Sequence, residues 1–240
     1  MANNSENPVY VQIADELRQN INDGIYKAGD KLPTEQQLSL RFGVNRHTLR
    51  RAISLLKSEG LLLVDQGRGT FIANAVIRYP IGKRVRYNET LKAQGHEASF
   101  KVLRSLEIPA KSAVAEALEI KIGSPVGLSE RLGLADDQPI SVSTSYFPLS
   151  LFPDILIHCQ QARSISQMLR EIYNCDHIRR STRISARLVK RQDARLLEFP
   201  LNHPILLAES VNVDQHGRII QYGVTRFRGD RMELVFENTL

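Results

Sequence analysis

Val44-Asn45-Arg46-His47-Thr48-Leu49-Arg50-Arg51 opens a short basic helix and decides how the first third of the chain is read. Asn45 is a favoured N-cap, because its side-chain oxygen accepts a bond from an orphan amide of the first turn. The helix is expected to run to about Glu59 and to stop at Gly60. At ~100° per residue, Leu49, Ala52 and Leu56 share one arc with Ile53 at its edge, while Arg46, His47, Arg50 and Lys57 share another. Between Arg41 and Arg51 stand four Arg and no Asp or Glu, so no carboxylate within the stretch competes for the guanidinium groups. A solvated surface helix has the same composition, so the neighbouring segments must separate it from a DNA reader.

Upstream, Thr34 to Phe42 predicts a second helix, with Thr34-x-x-Gln37 as a capping box and Leu38 and Phe42 facing inward. Gly43 supplies the tight turn between the helices. Pro8 to about Asp23 predicts a third helix, with Val9, Ile13, Leu17 and Ile21 at steps of four. Downstream, Leu61 to Val64 and Thr70 to Ile72 flank Asp65-Gln66-Gly67-Arg68-Gly69, a hairpin with a basic tip. Helix, glycine turn, arginine-bearing helix and hairpin in this order describe a winged helix-turn-helix. Arg46 and Arg50, one turn apart, are expected to read guanines in the major groove. Lys31, Thr48 and Arg51 are assigned to phosphates, and Arg68 to the minor groove.

Lys31-Leu32-Pro33-Thr34-Glu35-Gln36-Gln37-Leu38, Phe42 to Arg50, Gly60-Leu61 and Gly67-Arg68-Gly69-Thr70-Phe71 resemble the DNA-binding domain of GntR-type bacterial repressors. The likeness is collinear over the first third of the chain and departs at Gln36, where Arg is common in the family. It implies a DNA-contact set of Lys31, Gln36, Asn45, Arg46, His47, Thr48, Arg50, Arg51, Gln66, Gly67 and Arg68. With the weak affinity expected of one small reader, it also implies a homodimer on double-stranded DNA whose operator is an inverted repeat.

The chain has 240 residues, 42% of them hydrophobic, enough for one large domain or two ordinary ones. A net charge of +6 favours a polyanionic partner only weakly, and residues 1 to 75 carry nine Lys and Arg against eight Asp and Glu. Placement of charge, rather than its sum, therefore carries the DNA reading. Cys159 and Cys175 follow no metal or disulfide spacing and suit a reducing compartment. No signal-like segment and no run of ~18 apolar residues occurs, so the protein is expected in the cytoplasm, away from membranes. Six scattered His form no metal-ligand spacing, and nucleophile elbow, P-loop and dinucleotide fingerprint are missing. No catalytic residue, metal or cofactor is therefore assigned.

Residues 1 to 75 are expected to form the DNA-binding domain, 76 to 82 a linker interrupted by Pro80 and Gly82, and 83 to 240 a second domain. From Asn74 to Lys92, five basic residues oppose Glu89 alone. This basic stretch, Arg86 included, is either a soluble connection or a segment lying near DNA or an anionic effector. Further on, Leu118 to Glu130 aligns without gaps on Leu197 to Glu209. Each copy follows a short helix and leads into strand, polar turn and strand. Two such units imply an antiparallel sheet with helices at its side, an α+β domain with a cleft between the halves.

Tyr87-Asn88-Glu89, Gly95, Glu130-Arg131-Leu132, Leu134-Ala135-Asp136, Pro139-Ile140, Tyr146-x-Pro148, Gly217, Tyr222 and Phe227 to Arg231 resemble the effector domain of the HutC-type branch of GntR regulators. That likeness implies a chorismate-lyase-like fold and effector contacts at Asn88, Arg131, Ser164, Ser166 and Gln221. Many relatives place a second Arg at Gly133 and an acid at Gln221, which argues here against an amino-sugar effector. Val44 to Ile53 together with Thr182 to Arg187 are most similar to phosphonate-utilisation regulators within the branch. Independently of family, Ser164-x-x-Gln167 is a capping box whose amides suit an oxyanion, although an ordinary cap looks the same. Arg183, Ser185 and Arg187 alternate along a strand and form an anion site only if that face lines the cleft. The expected function is a repressor, released by a small anionic effector, of phosphonate uptake or utilisation genes; histidine or amino-sugar catabolism are alternative targets. The rival class is a lyase-like enzyme fused to a DNA-binding domain, which would convert its ligand rather than return it.

Overall fold

The computed structural model describes residues 7–65, 67–73 and 76–237. It resolves into two compact units, Met1–Ala75 and Val76–Leu240.

In the first unit, α1 (Val9–Asn22), α2 (Glu35–Phe42) and α3 (Arg46–Ser58) surround a small core, and β1 (Leu62–Asp65) pairs antiparallel with β2 (Gly69–Ile72). Ile13, Leu17, Leu38, Leu49, Ala52, Leu56, Leu62 and Ile72 fill that core. Both halves of the Thr34 box form: the Gln37 amide donates to Thr34 Oγ1 at 3.3 Å, and the Thr34 amide donates to Gln37 Oε1 at 2.9 Å. Gly43 caps α2 at φ 63°, the left-handed conformation that lets α3 start with only two residues between. Asn45 Oδ1 then accepts from the Thr48 amide at 2.9 Å and fixes the beginning of α3.

The second unit is built on a six-stranded antiparallel sheet in the order β4-β5-β6-β9-β8-β7. Its strands are β4 (Ala98–Pro109), β5 (Pro125–Ala135), β6 (Gln138–Pro148), β7 (Ile178–Leu188), β8 (Pro204–Val213) and β9 (Ile219–Arg228). The internal repeat is legible in the backbone. The helices α5 (Ser112–Leu118) and α8 (Arg191–Leu196) end alike, with Ile120 N donating to Ala115 O at 3.0 Å and Phe199 N to Ala194 O at 2.9 Å. Glu119 and Glu198, which align in the repeat, both hold positive φ, 54° and 48°. Each half contributes three strands, and the halves join where β6 pairs with β9.

Two expectations need correction. Residues 76–82 are not a free connection, because β3 (Ile77–Pro80) pairs in parallel with β10 (Met232–Val235), and Ile77 and Tyr79 are buried against Phe227 and Met232. Apolar side chains at alternate positions hold this strand despite its terminal proline. The Ser164 box is half formed: the Gln167 amide donates to Ser164 Oγ, but the Gln167 side chain turns to Glu171, to which its Nε2 donates at 2.8 Å, and among the described residues its oxygen accepts nothing from the Ser164 amide.

One face of the large sheet carries α5 and α8 over apolar clusters. Over the opposite face lie α4 (Tyr87–Ala93), α6 (Ile155–Gln161), α7 (Ile165–Tyr173) and β3. These elements pack at its margins and leave a hollow above its middle.

Candidate effector site and nucleic-acid interface

On α3 the sequence periodicity becomes a division of labour. Leu49, Ala52, Ile53 and Leu56 are buried, and Arg46, His47, Arg50, Arg51 and Lys57 are exposed. Carboxylates reach this basic group from other helices, contrary to the local count. Arg50 Nε donates to Glu35 at 3.0 Å, and Arg41 donates to Glu16 at 2.8 Å. At an exposed site such pairs contribute little stability, so their consequence is geometric: Glu35 holds the Nε side of the Arg50 guanidinium, and its outer nitrogens have no partner among the described residues. The Arg51 guanidinium lies 4.0 Å from the centre of the Tyr10 ring. Arg46 and His47 make no side-chain bond among the described residues and face solvent.

Around the hairpin, the Lys31 side chain crosses Gly69 so closely that a Cβ there would come within 2.6 Å of it. Arg68 at the tip pairs with Asp65 at 3.3 Å. Gln36 and Gly67 are exposed, Thr48 is half-buried, and Gln66 lies outside the described residues.

In the second unit, the hollow above the sheet encloses about 180 Å³, below the ~300–1,000 Å³ of drug-sized pockets. Its floor follows from the strand period of two: Ser141, Ser143 and Ser145 of β6, Gly223 and Thr225 of β9, and Ser210 of β8 all point into it. Its walls bring Tyr87 and Asn88 from α4, Ser164 and Ser166 from the start of α7, and Arg131, Arg163, His177 and Arg179. Three arginines and no aspartate or glutamate line this cavity among the described residues. None of the three forms an ion pair among those residues, so the walls carry an uncompensated positive charge.

Five of the expected effector residues meet here: Asn88, Arg131, Ser164, Ser166 and Gln221. Two do not. Arg86 pairs with Glu89 at 3.6 Å and lines an adjoining outer recess, which shares Asn88, Ser164 and Ser166 with the cavity. Arg183 stands beside Glu209 in a groove elsewhere, because the strand period turns Thr182 into the cavity and Arg183 to the other face.

Those that meet are already engaged. Arg131 is 7% exposed; it donates to the carbonyls of Ala162, at 3.1 Å, and Cys159, and packs 4.4 Å from the centre of the Phe100 ring. Burial lowers its pKa, partly offset by Cys159. The residue therefore ties the end of α6 to the sheet, and its Nε is buried without a partner among the described residues. Asn88 Nδ2 donates to the Arg163 carbonyl at 2.9 Å. Ser166 Oγ lies 2.8 Å from His177 Nδ1, and His177 Nε2 lies 2.6 Å from Gln221 Oε1. Gln221 donates to Ser145 at 2.7 Å, which makes it a member of the floor network more than a free ligand group. Burial pushes the His177 imidazole down to about 4, so at neutral pH the ring is uncharged.

Gly133 explains one departure from the family pattern. A Cβ at this position would stand 2.5 Å from Ser141 Oγ and 3.6 Å from Tyr87 Oη, which themselves lie 3.3 Å apart. A second arginine here would displace the Ser141 hydroxyl, and glycine leaves that corner open. Sequence reasoning missed His177, Arg163, Arg179 and Asn212. It also passed over Ser141-x-Ser143-x-Ser145, a polar stripe at strand period that was available as a signal. Among the described residues, no group of three His, Cys, Asp or Glu could hold a metal, and no helix is long and apolar enough to cross a membrane.

Comparison with known proteins matches residues 9–72 to the bacterial regulatory proteins of the gntR family and residues 93–233 to the UTRA domain. An HTH-type transcriptional regulator of Rhizobium meliloti is 35% identical over 94% of this chain and 93% of its own length. The probable transcriptional regulator PhnF of Escherichia coli is 34% identical over 95% of both chains. The crystal structure of PhnF from Mycobacterium smegmatis superposes with a TM-score of 0.66 at 26% identity, covering 97% of this chain and 99% of that one.

Proposed function

Because the chain belongs to the GntR family of bacterial transcription regulators and carries a UTRA domain, we propose that it is a repressor of phosphonate uptake or utilisation genes, released from DNA by a small anion. It works in the cytoplasm as a homodimer on an inverted-repeat operator. Arg46 and the Glu35-braced Arg50 read guanines, Lys31, Thr48 and Arg51 hold phosphates, and Arg68 enters the minor groove.

The observation that carries the effector half is the cavity itself, with three arginines, a floor of hydroxyls and no acid. An oxyanion head meets Ser164, Ser166 and the first amides of α7, with Asn88 and the spare donors of Arg131 beside it. Release of DNA requires that the anion bind the DNA-incompetent arrangement more tightly, by ~1–3 kcal/mol for a typical coupling. The protein returns its ligand unchanged.

Selection of binding sites from random duplexes tests the DNA half. Enriched sequences should contain two inverted half-sites occupied by two chains. Enrichment of single half-sites occupied by one chain would contradict the dimeric reading.

A further inference from the structure

We infer that the cavity contains a second polar subsite, at Arg179 and Asn212, so that the effector is two-headed. One head is a phosphonate or phosphate at the start of α7, and the other is a carboxylate flanked by an amine or hydroxyl. This rests on the reading of the cavity as the effector site and adds the chemistry of the far end.

Asn212 is 3% exposed, and its Nδ2 donates to Gln221 Oε1 at 2.7 Å. The other end of its amide, Oδ1, is buried with no partner among the described residues. Directly opposite on β7 stands Arg179, whose Nη groups donate to the Gly82 carbonyl and, at 3.1 Å, to Tyr79 Oη. Its Nε is also buried without a partner, and no carboxylate pairs with the guanidinium among the described residues. Both side chains line the cavity, with the Thr182 and Ser210 hydroxyls 2.9 Å apart nearby. A buried acceptor beside a half-buried cation that lacks its countercharge is satisfied by one kind of group. A carboxylate meets Arg179, and a donor on the adjacent carbon meets Asn212.

The geometry also separates this subsite from the first. Ser166 at the α7 start reaches Asn212 through two intervening side chains: Ser166 Oγ lies 2.8 Å from His177 Nδ1, His177 Nε2 lies 2.6 Å from Gln221 Oε1, and that oxygen accepts from Asn212 Nδ2 at 2.7 Å, so one imidazole and one amide stand between the two subsites. Beside them the floor offers Ser145, Gly223 and Ser210, small residues that leave space for a connecting chain. A bare phosphate fills one end and leaves the other unpaired.

Calorimetric titration of the full chain tests this with three probes: butylphosphonate, 2-amino-4-phosphonobutyrate and 2-amino-5-phosphonopentanoate. At least one two-headed probe should bind tenfold or more tighter than butylphosphonate. Arg179→Gln should remove that advantage while leaving butylphosphonate within about twofold of wild type, which also shows that the variant is folded. If Arg179→Gln loses butylphosphonate as well, Asn212→Leu decides, since a side chain of similar size without an acceptor should weaken the second head alone. Equal affinities for all three probes in the wild type would overturn the second subsite and leave the effector reading standing. So would an advantage that survives in Asn212→Leu. Failure of every probe to bind would overturn both.

Discussion

Replacing His177 with Gln should flatten the acid limb of the protein's stability profile. The ring is 5% exposed, and burial, the largest influence, drives its pKa from 6.5 to about 4 against the favourable contact with Gln221. A base whose pKa is lowered by folding binds fewer protons in the native protein than in the unfolded chain. Its neutral form therefore favours folding fully above pH 6.5, and that contribution is lost progressively as pH falls toward 4. Between pH 7 and pH 5 the loss from this one group amounts to about 2 kcal/mol. Urea unfolding at pH 5, 6 and 7, followed by circular dichroism, measures it as the difference between wild type and His177→Gln. Subtracting the variant cancels groups common to both, including Asp176, which Arg84 holds below the usual carboxylate range. Wild type should lose about 2 kcal/mol more than the variant over this interval. Parallel slopes would refute the argument, because they would mean that the buried ring bears no cost on protonation.

Arg46→Ala should weaken binding to the selected site by about 1–3 kcal/mol and relax base preference at one position, while random duplex is affected less; equal losses on both would remove Arg46 from base reading. Glu35→Ala should raise affinity for random DNA, by removing a negative charge near phosphates, yet lower the ratio of specific to random binding, because Arg50 loses its brace; anisotropy titrations on both duplexes read this. Gly43→Ala should cost about 1 kcal/mol or more in thermal or urea unfolding, since φ at this position is 63°; an unchanged midpoint would show that the turn relaxes.

Local rules carried the first unit far and the second only part of the way. Thr34 with Gln37, Gly43, Asn45 and the arc of Leu49, Ala52 and Leu56 depend on neighbours within a turn or two, so the sequence shows them directly. The repeat of Leu118 to Glu130 in Leu197 to Glu209 announced two helix-hairpin units, and the sheet places them as matching halves. Contacts between distant segments escaped. Glu35 reaches Arg50 from another helix, which a count of charges between Arg41 and Arg51 cannot register. The stretch 76–82 looked like a connection because its partner, β10, lies more than 150 residues away. In the cavity, Ser164 and Ser166 were legible as a helix start. A lone histidine at 177 and a lone arginine at 179 gain meaning only when β7 comes to lie against the wall.

The most direct test of the account is release of DNA by an anion at the α7 start. Full-length protein is bound to a fluorescent duplex carrying its selected site and titrated with 2-amino-4-phosphonobutyrate, methylphosphonate and phosphate, with sodium chloride at matched ionic strength as the control. Ser164→Gly runs in parallel, because glycine keeps most of the capping preference and removes only the hydroxyl. The account predicts that at least one oxyanion releases wild type well below the salt control. Ser164→Gly should bind the duplex with unchanged affinity and need at least tenfold more of that anion. Release that tracks ionic strength alone, or that is identical in Ser164→Gly, would contradict it.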